Sequence, residues 1–379
     1  MYALVNCDIY TGQQVVFDKA LLINGPKILD LVTYDQIPVD VERLDLKGQS
    51  LAPGFIDIQV NGGGGVLFND SPTVETIRTI VAAHRKFGTT DLLPTFITAD
   101  KAKMREAINA VQECIDKQEP GVRGIHLEGP FIEGSKAGVH EIKHVRSAEQ
   151  DDIDLVSALQ APVTLLTLAP ETVSSDLIVE LVRRGVRVSA GHTAADYVQM
   201  EKAFDSGVSC VTHLFNAMTA FTGREPGVVG ASLSNDKSWC GIIVDGYHVH
   251  FSSVRVAWHA KQKRKMILVT DAMPPVGSPM THFRLGAYDI EVHEGRCTTP
   301  DGVLAGSALD MATAVRNCVQ QVGIPKDEAL RMASTYPAEY IGLEKMLGRI
   351  APGYQANLTI FNNQIHVSAV IVNGEYIAA

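Results

Sequence analysis

The chain has 379 residues, 46% of them apolar and 20% charged, a globular balance that excludes a disordered chain. At ~150 residues per domain this length predicts two or three domains, one of which can be an α/β barrel of about 250 residues. With 33 Lys and Arg against 43 Asp and Glu the net charge is −10, so no general positive field draws in nucleic acid or an anionic membrane, and an anionic ligand must be held by local groups.

In chain order, residues 1–50 read as short strands, ALVNCDIY, QVVFDKALLIN and KILDLVTY, broken at Thr11-Gly12 and Asn24-Gly25-Pro26. The opening reaches Asp8 at once and has no signal-peptide core, and no run nears the ~20 apolar residues of a membrane helix. The six cysteines lie far apart without a C-x-x-C pair. They read as small buried apolar residues in a reducing cytoplasm, not as a disulfide framework or a thiolate zinc site.

From Pro53 to Gly348 the pattern changes. Eight apolar runs occur: GFIDIQV, TTDLLPTFI, VRGIHLEG, VTLLTLAP, VRVSAGH, SCVTHLF, CGIIVDG and KMILVTDA. Most are separated by helical stretches such as Thr73–Phe87, Lys101–Lys117, Ser174–Arg184 and Ala194–Asp205, with apolar residues at i, i+3, i+4 spacing. Continuous apolar runs alternating with helices predict parallel strands covered on both faces, and eight of them predict a (β/α)8 barrel over residues 53–347. The last thirty residues return to strand character with ANLTIFN and VSAVIVNGEYIA. Neither end buries a core alone, so 1–52 and 348–379 are expected to combine into one small β-domain.

Polar residues collect where these runs end, the face on which such barrels carry their active sites. The first run gives Asp57, Gln59 and Asn61; the third gives Glu128; the fifth His192; the sixth His213 and, beyond it, Asn216; the seventh Asp245 and His248; the eighth Asp271. Taken singly, a strand-end His is as readily a hydrogen-bonded structural residue. Together, Glu128, His192 and His213 form the His2Glu set of a catalytic zinc site with its fourth position open. Asp271 follows the apolar run ILVT. It is either a general acid/base beside that metal or the N-cap of a turn leading to Pro274-Pro275. Arg224, in the loop Phe221–Gly227, either forks onto a phosphate or pairs with Glu225 at the surface. Gly62–Gly65 matches no phosphate-binding motif and reads as a tight turn. The basic run Lys263-Arg264-Lys265 reads as a solvated face away from the site.

The segments LAPGFIDIQVNGGGG, GIHLEGPFIE, VSAGHT, THLFNAM, GREPG, DGYHV, LVTDAMPP, LAGSAL and GRIAPGYQANLTIF, in this order, resemble the N-acetylglucosamine-6-phosphate deacetylases of the amidohydrolase superfamily. The likeness spans essentially the whole chain. It implies a metal-bearing (β/α)8 barrel with a small β-sandwich domain from both termini (1–52 and 348–379), and hydrolysis of an N-acetylated amino-sugar phosphate to the free amine and acetate. Glu128, His192 and His213 match the metal ligands and Asp271 the acid/base. His140 matches the residue that polarises the acetamide carbonyl. Val139, Asn216, Ala217, Arg224, His248 and the stretch Leu304, Ala305 and Gly306 match substrate contacts, with Arg224 on the phosphate. A homodimer is also implied. Many amidohydrolases end the first strand in H-x-H and hold a second metal there. This chain has Gln59-Val60-Asn61. Amides are poor zinc ligands, so one divalent ion per subunit, zinc by its ligand set, is expected. Two other readings are a cyclic amidase of the same superfamily, which the missing H-x-H opposes, and a non-catalytic sugar-phosphate sensor, which has no use for Asp271.

Overall fold

In the computed structural model, residues 1–160, 162–261 and 265–379 are described; Lys263 and Arg264 of the basic run lie outside them. Among these residues the eight apolar runs form eight consecutive parallel strands: β1 (Phe55–Val60), β2 (Thr89–Ile97), β3 (Gly124–Glu128), β4 (Val163–Leu168), β5 (Arg187–Ala190), β6 (Cys210–Val211), β7 (Trp239–Ile242) and β8 (Met266–Leu268). Each pairs with the next in sequence. The ring closes just past the strand ends, where Asp271 N–H donates to the Gln59 carbonyl (3.0 Å) and Asn61 N–H to the Ala272 carbonyl (2.9 Å). Strands wrapped by helices lose water on both faces, which is why β1, β2, β3 and β4 are buried along their full length. The expected helices are present as Val74–Arg85, Lys101–Asp116, Ser175–Arg183 and Tyr197–Asp205. Each starts at a Thr, Asp or Ser whose side-chain oxygen accepts a backbone N–H of the first turn.

The chain ends meet in one sheet. The long strand Glu42–Pro53 pairs in parallel with Tyr2–Tyr10 and antiparallel with Leu358–Phe361. The sheet runs from Glu375–Ala378 at one end to Lys27–Val32 at the other. It is continuous, eight strands in all. It encloses its own apolar core, including Leu4, Ile9, Leu21, Leu51, Leu358 and Ile371. Tyr2 Oη donates to the Gly374 carbonyl at 2.9 Å, so the interior strand Tyr2–Tyr10 is tied to the turn between the last two strands.

One element is absent from the sequence reading. Four antiparallel strands, His282–Leu285, Tyr288–His293, Arg296–Thr298 and Leu304–Ser307, follow β8 before the chain re-enters the helical layer at Met311–Asn317. Phe283, Leu285, Ile290, Cys297 and Ala305 form its buried face and pack against Leu67, Ile97 and Met273. This sheet stands as one wall of the barrel mouth. All six cysteines are buried and free, and no helix among the described residues is long and apolar enough to cross a membrane.

Candidate active site

The β strands deliver their C-terminal residues to one cavity of about 460 Å³, within the size range of small-molecule sites. Glu128, Val139, His140, His192, His213, Asn216, Ala217, His248, Asp271, Leu304 and Gly306 all line it. Two residues of the sequence-based set do not. Ala305 is fully buried behind the wall, because alternate residues of a strand face opposite sides. Arg224 is exposed on the loop after β6 and is not on the cavity wall of its own chain. The Glu225 carboxylate takes the backbone N–H groups of Tyr197 and Gly227, both at 2.9 Å, so it closes the loop locally. Gly62–Gly65 also lies off the wall; Gly62 and Gly63 pair with Val66–Leu67 as a turn.

At the floor, Glu128 Oε1 lies 3.2 Å from His192 Nε2 and 3.0 Å from His213 Nε2, and the two imidazole nitrogens are 3.1 Å apart. His192 Nδ1 faces the Lys136 carbonyl at 2.8 Å. A carbonyl only accepts, so Nδ1 carries the hydrogen and, in the neutral ring, Nε2 presents a lone pair to the others. Burial alone raises the Glu128 pKa, yet the adjoining His192 and His213 rings hold it well below the usual carboxylate range. Three electron-rich atoms spaced 3.0–3.2 Å apart match the edges of a tetrahedral site with bonds of about 2.0 Å, which are about 3.3 Å. The donor set therefore fits a divalent cation. Glu128 and His192 also come within 4.8 Å of a ring nitrogen of His140, so that side chain borders the same position.

Around this floor the first strand supplies amides. Gln59 Nε2 donates to both Glu128 oxygens at 3.2 Å and to Asp271 Oδ1 at 3.3 Å, and Asn61 Nδ2 donates to Asp271 Oδ1 at 2.6 Å. Where an H-x-H pair would ligate a second metal, this chain uses two side-chain N–H donors to orient two carboxylates. Burial and the neighbouring Glu128 charge raise the Asp271 pKa to about 6. Burial and nearby His192 lower His140 to about 3, which keeps its ring neutral; Thr98 Oγ1 holds its Nδ1 at 2.7 Å. His248 Nδ1 sits 2.6 Å from the Asp245 carboxylate, which fixes the ring with its other nitrogen available to the cavity. His192, His213, Ala217 and Asp271 all have positive φ, at 48°, 34°, 50° and 51°. Such backbone is costly for non-glycine residues and clusters at functional sites.

Thr98 and the Lys136 carbonyl were not singled out from the sequence, since orienting partners carry no motif of their own. Asp245 was visible as a strand-end acid three residues before His248.

Two family models match the chain: the amidohydrolase family over residues 50–377 and the NagA composite domain over residues 1–51. An N-acetylgalactosamine-6-phosphate deacetylase of Shewanella sp. is 45% identical over 338 residues, 89% of this chain and 85% of its own length. The N-acetylglucosamine-6-phosphate deacetylase of Haemophilus influenzae is 37% identical over 378 residues, 99% of each chain. Among solved structures, the N-acetylglucosamine-6-phosphate deacetylase of Pasteurella multocida superposes with a TM-score of 0.97 at 39% identity, covering all of both chains. An Asp-to-Ala variant of the Mycobacterium smegmatis enzyme, solved with N-acetyl-D-glucosamine-6-phosphate, gives 0.93 at 30% identity, covering 100% of this chain and 99% of that one. The catalytic wall, the barrel that carries it and the terminal sheet all fall inside the matched regions, and the chain belongs to the amidohydrolase family.

Proposed function

We propose that this chain hydrolyses the N-acetyl group of N-acetylglucosamine-6-phosphate, giving glucosamine-6-phosphate and acetate. The observation that carries the reading is the meeting of Glu128, His192, His213, His140 and Asp271 on one cavity. Glu128, His192 and His213 would hold one divalent cation, zinc by its nitrogen and carboxylate ligands. When bound, such an ion polarises a carbonyl and brings the pKa of a water it holds towards ~7. Asp271 takes a proton from the attacking water and returns it to the amine nitrogen as the C–N bond breaks. The raised pKa suits an aspartate that must both accept and give. Thr98 Oγ1 fixes the His140 ring through Nδ1, and in the tautomer with its hydrogen on Nε2 the ring donates to the developing oxyanion. Asn216, His248 and the Leu304–Gly306 strand position the sugar phosphate.

Arg224 fits the phosphate role in a homodimer, where the exposed loop of one protomer reaches the cavity of its partner. The exposure of Arg224, and of Phe221 at 66% on the same loop, supports this arrangement. A second substrate is favoured by one observation, the 45% identity to an N-acetylgalactosamine-6-phosphate deacetylase. That sugar differs only in the configuration at C4. The test is acetate release from both phosphorylated sugars by zinc-loaded protein, with elemental analysis before and after chelation. Turnover of the gluco sugar that falls on chelation and returns with one equivalent of zinc supports the proposal. Faster turnover of the galacto epimer reassigns the substrate, and no acetate from either sugar overturns the reading.

A further inference from the structure

The left-handed backbone of Asp271 needs an external hold. Two peptide planes flank its Cα, and their relative rotation sets where the carboxyl points. The Thr270 carbonyl, in the first plane, accepts the Ser307 hydroxyl at 2.6 Å. The Asp271 carbonyl, in the second, accepts the Ser307 N–H at 2.9 Å. One residue therefore grips both planes. The other edge of the first plane is fixed by Asp271 N–H donating to Gln59 (3.0 Å), so rotation about Asp271 is blocked from the β1 side as well. Ser307 is 1% exposed, and its oxygen also accepts the Leu309 N–H at 3.0 Å, which sets the hydroxyl's direction.

Ser307 ends the strand Leu304–Ser307, whose Leu304 and Gly306 line the cavity. Gly306 is itself pressed against this junction: a Cβ there would lie 2.9 Å from the Asp271 carbonyl oxygen and 2.6 Å from the Met273 side chain. The strand that touches the cavity contents and the backbone that aims the proton carrier are thus one hydrogen-bonded unit. A strand held only for stability would need the backbone bonds alone, Ser307 N–H to Asp271 and Met273 N–H to the Ser307 carbonyl (2.9 Å). The hydroxyl adds a grip on the one carbonyl that precedes Asp271.

We propose that Ser307 is a positioning residue for Asp271, which couples the wall strand Leu304–Ser307 to the placement of the acid/base. The inference rests on the deacetylase reading. In Ser307→Ala, loaded with zinc, kcat is expected to fall about 10- to 100-fold, the scale for a misplaced reacting group, with KM changed by less than about threefold. Metal content stays as in the wild type, and the solvent deuterium isotope effect on kcat rises because proton transfer becomes slower. Ser307→Cys keeps the volume with a weaker donor and gives an intermediate kcat; it carries the test alone if Ser307→Ala does not fold. An active wild type with a variant kcat within about twofold overturns the inference. So does a lower kcat with an unchanged isotope effect, since the loss then lies outside proton transfer. A wild type that releases no acetate fails the deacetylase reading instead.

Discussion

The two ends of the barrel bury carboxylates in opposite ways. At the bottom, Asp91 is 1% exposed and accepts from Arg123 Nε at 2.5 Å, Asn357 Nδ2 at 2.9 Å and Thr90 Oγ1 at 2.6 Å. Every partner comes from the chain itself, and Asn357 ties the terminal sheet to β2 in the same stroke. At the mouth, Glu128 is 2% exposed and faces two imidazole nitrogens and one amide, while Asp271 has only the amides of Gln59 and Asn61. A buried carboxylate is costly unless something compensates its charge. The bottom has its own guanidinium; at the mouth no guanidinium among the described residues pairs with Glu128 or Asp271, and on the proposed reading their charge is left for a cation and a proton from outside. On that reading the same fold uses buried acids for stability at one end and for chemistry at the other.

The sharpest way to break this contrast is Asp271→Asn. The amide keeps the shape and cannot accept the proton, so kcat is expected to fall by about 10²–10⁴-fold while metal content and thermal midpoint stay near wild type. Residual activity within about tenfold of wild type would move the proton shuttle elsewhere on the mouth. Next in size is Arg224→Ala. Loss of a charge-assisted phosphate contact is expected to cost about 2–4 kcal/mol in kcat/KM on the phosphorylated sugar, with little change on N-acetylglucosamine itself. Equal losses on both sugars would make Arg224 a loop or interface residue. The smallest effect on catalysis, and a clear one on stability, belongs to the bottom. Arg123→Met leaves Asp91 buried without its cation, which is expected to cost about 3 kcal/mol in unfolding free energy with kcat changed by less than about twofold. A catalytic defect there, at unchanged stability, would erase the division of labour.

Much of this was legible in the sequence for a physical reason. Strands buried on both faces must be apolar throughout, so the eight runs announced the barrel, and chemistry at strand ends announced Glu128, His192, His213 and Asp271. The four-stranded wall was not legible. Its strands are short, half-exposed and rich in charge, as in Tyr288–His293, so they lack both the continuous apolar run and a clean alternation. Gln59 and Asn61 were seen as missing metal ligands; that their N–H groups hold Glu128 and Asp271 depends on distances no sequence spacing encodes. Arg224 is the opposite case, since its motif was readable but its own chain's cavity does not use it.

The terminal sheet has a consequence for how the molecule is made. Tyr2 meets Gly374 across 372 positions, and the strand Glu42–Pro53 receives its antiparallel neighbour only when residues 358–361 arrive. A chain leaving the ribosome carries Glu42–Pro53 with one strand edge unpaired until residues 358–361 have been synthesised. Exposed edges of this kind recruit other strands and aggregate. Loss of residues 356–379 would therefore leave residues 1–50 as the sticky part of the molecule, far along the chain from the damage and well away from the barrel mouth.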